Sequence, residues 1–102
     1  MKIIRKISQE ILHVHGIYMM SNDIYYLVMP DNYPGLLSVK ATDSNIVDNN
    51  IPDGFIFNLK EDGFTLFSKF LENEFFLEKL LECDPEAMRC FTEMQGVPSN
   101  NQ

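Results

Sequence analysis

The sequence predicts an α+β domain in which the N-terminal half forms an antiparallel sheet and the C-terminal half packs helices onto it. Three observations predict this. Residues up to about 60 are rich in β-branched and aromatic side chains and are broken by turn signals. Residues from about 62 to 95 carry apolar side chains at helical spacings. The two patterns follow one another instead of alternating, which argues against a parallel α/β sheet. At 102 residues the chain has room for one domain, read as 1–98 with 99–102 as a frayed tail. A domain of this size buries roughly 65% of the surface of its unfolded form, enough for a core without staples. With 45% hydrophobic and 23% charged residues, the composition is that of a globular chain and not a disordered one.

Residues 2–10 are ambiguous. Ile4, Ile7, Ile11 and Val14 fit a helical stripe that Gly16 would end. Residues 11–15 also read as a strand that continues into Ile17–Met20. The strand reading is preferred from residue 11, leaving residues 2–8 as a strand or a short helix. A hairpin over about 11–29 is the clearest element. Ile17–Met20 and Ile24–Met29 flank Ser21-Asn22-Asp23, and Asn and Asp tolerate the positive φ of a tight turn. With Asn22 and Asp23 at the centre of the turn, Ile17 faces Val28 and Met19 faces Tyr26. Both faces then come out apolar, so the hairpin is expected to be central. A helix should cover one face. The chain's own N-terminus, a second copy or a partner should cover the other.

Pro30–Gly35 reads as a loop, and residues 36–41 as a strand. Residues 42–53 read as a long polar loop closed by Pro52-Asp53-Gly54, followed by a strand over 55–59. Phe64, Phe67, Phe70, Leu71, Phe75, Leu77 and Leu81 then predict a helix over about 63–83. Asp62 would be its N-cap, and Asn73 would mark a kink or a break. Asp84-Pro85-Glu86 is a strong start signal for a second helix over about 85–95. Asp is favoured at the N-cap, Pro at the first helical position and Glu in the first turn. Gly96 and Pro98 would end that helix.

No catalytic, metal or cofactor site is legible. His13 and His15 are expected to share a strand face with Ile17 and Met19, and no third or fourth metal ligand stands at a usual spacing. Cys83 and Cys90 are too far apart for a redox pair or half a zinc site. Neither has the flanking signature of a nucleophile, and Cys90 reads as a small packed hydrophobe. Asp43-x-Asn45 and Asp48-x-Asn50 resemble the start of a calcium loop, but Val47 and Pro52 occupy the next ligand positions. Phosphate loops, zinc-protease helices and nucleophile elbows are absent from the sequence. No apolar run reaches membrane-spanning length, and Ser8, Gln9 and Glu10 interrupt what could have been a signal sequence. With two cysteines only, the expected compartment is the cytoplasm.

Charge is the remaining signal. Fifteen acids against eight bases give −7, which argues against direct binding to nucleic acid or an anionic membrane. Residues 41–86 alone hold eleven acids and three bases, a net −8. Glu74, Glu78 and Glu82 stand at i, i+4 spacing and predict one acidic ridge. Asp43, Asp48 and Asp53 add charge in the preceding loop. Tyr33 and Phe76 are the aromatic side chains expected to anchor a partner beside it. The reading that follows is a small acidic inhibitor or antidote that covers the active site or groove of a basic partner. A nuclease toxin is one such partner. Bacterial immunity proteins and phage-encoded inhibitors of host defence nucleases are of this general type, although no motif here matches one such family. A homodimeric structural or adaptor subunit is the second reading, and an enzyme using Cys83 or Cys90 with a histidine the third.

Overall fold

The computed structural model describes residues 1–94. The strands are β1 (Lys2–Arg5), β2 (Ile11–Met20), β3 (Asp23–Val28), β4 (Leu37–Lys40), β5 (Ser44–Asp48), β6 (Phe55–Lys60) and β7 (Gly63–Ser68). The helices are α1 (Glu74–Leu81) and α2 (Pro85–Met94), and short 3-10 turns occupy Ala41–Asp43 and Lys69–Leu71. The fold is α+β, an antiparallel sheet followed by two helices, as the sequence predicts. The sheet runs β4-β3-β2-β1-β5, while β7 also pairs with β2 and β6 pairs with β7.

The β2–β3 hairpin turns on Ser21 and Asn22, with φ values of 53° and 73°. Left-handed backbone at both central residues matches the twist of the flanking strands. Ile17 therefore faces Tyr26, and Met20 faces Asp23. The sequence reading put the turn one residue later. That error moves each partner by two positions and leaves the faces unchanged.

A β-bulge alters the faces further back. Val14 pairs with Val28 and Gly16 with Leu27, so His15 is the extra residue. It inverts the alternation along β2. Leu12 and Val14 before the bulge join the same core as Ile17 after it. His15 instead packs edge-on against Phe91 in the other core, with ring centroids 5.3 Å apart. The expected sharing of one face by His13, His15, Ile17 and Met19 is thus corrected.

Each face of the sheet carries its own core. On one face Ile3, Leu12, Val14, Ile17, Tyr26, Val28 and Val39 cluster, with Met1 and Ala41 against them. The chain's own N-terminal strand thus covers the face that the helices leave open. Ile7 is 92% exposed, so the helical stripe through residues 4–14 does not exist. Residues 6–10 instead form the turn between β1 and β2, where the Arg5 N–H donates to the Glu10 carbonyl (3.0 Å). The segment read as a long loop also holds β5, which pairs with β1.

On the other face Leu27, Leu36, Leu71, Leu80, Ala87 and Phe91 form the second core beneath α1 and α2. Gly16 is needed here, because a Cβ at that position would lie 2.6 Å from the Phe67 ring. The helix expected over 63–83 is corrected. Residues 63–68 are strand β7, in hairpin register with β6 and paired to β2 on the other side. Phe64 and Leu66 point to the first core and Phe67 to the second. A strand that packs against a core on each face, as half-buried β7 does, shows a near-continuous apolar run, which helical periodicity fits just as well.

Asp62 lies in the β6–β7 turn and not at a helix start. Asn73, read as a kink, is the N-cap of α1, its side chain accepting from the Phe76 N–H at 3.0 Å. The start of α2 is as predicted: the Asp84 carboxylate accepts from the Glu86 N–H (3.3 Å), and Pro85 is the first helical residue. The expected stop at Gly96 and Pro98 and the frayed tail lie outside the described residues.

Candidate functional site

The sequence singles out α1 and the loop before it. Within α1 the geometry follows from helical spacing. Leu80 is fully buried while Glu74, Glu78 and Glu82 are exposed along the opposite face. Among the described residues no ion pair reaches any of the three. Lys79, the nearest cation in sequence, lies over the Phe75 ring at 5.2 Å and pairs with Asp84 at 3.8 Å. Exposed apolar side chains flank the ridge, Phe75 at 68% and Leu81 at 42% exposure.

The structure brings some of the predicted site residues together and separates others. Phe76, expected as an exposed anchor, packs into the helical core with its ring 6.4 Å from that of Phe91. Phe75 takes the exposed position instead, and sequence spacing alone could not tell the two apart. Tyr33 lies at the far end of the ridge. The neighbouring Cys83 side chain is the first cause that raises its phenol above the usual range. Cys83 directly follows Glu82 and holds a left-handed φ of 63°. It closes α1 by donating to the Leu80 carbonyl (3.2 Å), while the Asp84 N–H donates to Lys79 (3.0 Å).

The loop acids lie elsewhere. Asp43 ends the 3-10 turn after β4, and Asp48 ends β5. The Asp48 carboxylate accepts from the Asn50 backbone N–H (3.0 Å) and side chain (3.1 Å), and the backbone bond chiefly holds it below the ordinary carboxylate range. Asp53 lines an open cleft of about 560 Å³ together with His13, His15, Asp31 and Phe70. The six acids therefore form a ridge and scattered outliers, not one surface.

Burial lowers the His15 pKa from 6.5 to about 4, with smaller contributions from His13 and the N-terminal amine. The imidazole is therefore neutral at physiological pH, and its ring is held against Phe91. Both cysteines are free thiols. Among the described residues no three His, Cys, Asp or Glu side chains gather closely enough to hold a metal ion. No helix among them is long and apolar enough to cross a membrane.

A second surface went unread in the sequence. On β6, Phe57 is 58% exposed and Leu59 80%. Register places Leu59 beside Phe64 of β7, and Phe64 beside Met19 of β2, which pairs with Ile24 of β3. This apolar row continues the first core out to the sheet's margin, beyond the reach of β1. The available signal was alternation, since Phe57 and Leu59 bracket Asn58 and precede Lys60. The fold thus defines an α+β scaffold with an acidic helical ridge and an open apolar sheet margin. No protein-family model, curated protein or solved structure matches this chain.

Proposed function

We propose that this chain is a protein-binding inhibitor that occludes the active site or nucleic-acid groove of a basic partner. A nuclease toxin or another effector acting on nucleic acid is the class of partner that fits. The observation that carries this reading is the α1 ridge. Three exposed carboxylates at i, i+4 spacing, without an ion pair among the described residues, repel one another by a few tenths of a kcal/mol per neighbouring pair. Glu82, at the C-terminal cap, also opposes the helix dipole. The ridge therefore weakens the helix that bears it, and folding gives no reason for it. A basic surface would turn that repulsion into attraction and speed encounter. Phe75 and Leu81 give such a partner apolar contacts beside the charge. The two free thiols suit a reducing compartment, and the cytoplasm is the proposed location.

The test starts with partner capture by the wild-type chain, followed by purification of the captured protein. Binding and inhibition are then measured against salt for the wild type and for the Glu74→Gln, Glu78→Gln, Glu82→Gln triple variant. The variant is expected to lose about tenfold or more in affinity, and its salt dependence should flatten. Equal affinity and equal salt dependence in both proteins would remove the ridge from the interface.

The open margin of β6 favours a second reading, a homodimeric structural subunit. A stable dimer in solution that protects Phe57 and Leu59 would support it.

A further inference from the structure

The sheet ends on an open strand. β6 pairs with β7 along one edge, in unbroken register from Phe55–Ser68 to Lys60–Gly63, and among the described residues no strand pairs with its other edge. Such an edge offers a row of free N–H and C=O groups to an incoming chain. Proteins usually blunt it with a bulge, a proline or central charges. β6 has no bulge and no proline, and its lysine comes only at the end.

The two faces beside this edge differ chemically. On one, Phe57 and Leu59 stand exposed, with the Phe57 ring stacked on Phe64 at 5.7 Å. On the other, Asn58 donates to the Glu72 carboxylate (3.3 Å). A groove of about 430 Å³ runs there between the β6–β7 hairpin and the start of α1. Glu72 and Glu74 line it, against Lys60 as its one cation. A strand added to this edge would point alternate side chains to the two faces. Its odd positions would meet apolar surface and its even positions carboxylates.

We propose that the β6 edge receives an extended segment of the basic partner as an added strand, with apolar and basic side chains alternating along it. This deepens the proposed function and rests on it, because Glu74 belongs both to the groove and to the ridge. A second copy of this chain fits the edge less well. Two-fold antiparallel pairing of β6 with itself sets the start of one strand beside the end of the other. Asp53 precedes β6, and Glu61 and Asp62 follow its terminal Lys60, so each end of the paired strands would hold three carboxylates against one lysine.

The test uses the full chain and an end-capped synthetic peptide alternating valine and lysine. A peptide of the same composition with its valines and lysines in separate blocks serves as control. Amide hydrogen exchange and chemical shifts are followed residue by residue. Binding of the alternating peptide is expected to slow exchange along β6 by about tenfold, and the block peptide should bind more weakly. Leu59→Arg, at a position too exposed to disturb folding, should lower affinity by about tenfold, and Glu72→Gln with Glu74→Gln should do the same while flattening the salt dependence. Glu78→Gln with Glu82→Gln should leave peptide binding unchanged. That pair separates the edge from the rest of the ridge, because partner binding can fail there while β6 still takes the peptide. Three outcomes would overturn the proposal: no binding, shifts confined to Glu78 and Glu82, or concentration-dependent dimerisation that protects the same β6 amides.

Discussion

The two faces of the sheet are closed in different ways, and the difference shows where this molecule is structural and where it is open. The helix-covered face is sealed. Phe91, Leu80, Leu71 and Leu36 are all at most 1% exposed. The strand-covered face is sealed only where β1 and the Ala41–Asp43 turn reach it. Beyond them its apolar row runs out into solvent at Phe57 and Leu59. Stability should therefore concentrate beneath the helices, and the margin should be free to bind.

The largest expected effect tests the sealed face. Phe91 is fully buried and touches the rings of both His15 and Phe76. Phe91→Ala should cost about 3–5 kcal/mol, the transfer energy of the ring plus the cavity left behind. Urea unfolding followed by circular dichroism measures this. A cost below about 1 kcal/mol would mean that α2 does not seal the core.

The next effect also lies on that face and concerns pH. His15 has a folded pKa of about 4 against 6.5 unfolded, because burial against Phe91 disfavours the imidazolium. Between those values the unfolded chain binds the extra proton, so stability rises with pH. The contribution is fully present above about pH 6.5 and is lost as pH falls towards 4. A shift of this size corresponds to about 3 kcal/mol. Carboxylates titrate in the same range, so the comparison is wild type against His15→Gln. The variant should show a flatter climb in stability between pH 4 and 6.5, and parallel curves would place His15 in water.

The same contrast explains what the sequence could reveal. The start of α2 was legible to the residue, because Asp84, Pro85 and Glu86 act through local capping and dipole chemistry. The β2–β3 hairpin was legible for the same reason, since positive φ at the turn restricts residue choice. β7 was not. Phe64, Leu66 and Phe67 face two cores at once, and that depends on β2 and β6 lying on either side, a tertiary fact. His15 at the bulge was hidden too, because a bulge leaves no compositional mark and inverts every face before it. The Glu74–Glu78–Glu82 ridge was readable as spacing, but choosing between Phe75 and Phe76 needed the helix's rotation. The apolar margin was missed because exposure at Leu59 depends on where β1 ends.

The smallest expected effect sharpens the contrast most. Leu59 is 80% exposed in the isolated chain, so Leu59→Ser should change stability by no more than about 0.5 kcal/mol. An equally large aliphatic side chain beneath the helices, such as Leu80, should cost about 2–5 kcal/mol when cut to alanine. Unfolding of the Leu59 variant at several protein concentrations decides whether the margin is open. A small cost independent of concentration means that Leu59 faces water and is free for a partner. A cost of 2 kcal/mol or more that grows with concentration means that another copy already covers it, since assembly adds to apparent stability by mass action. The sheet would then be sealed on both faces, one by the chain's own helices and the other by its N-terminal strand together with a neighbouring copy.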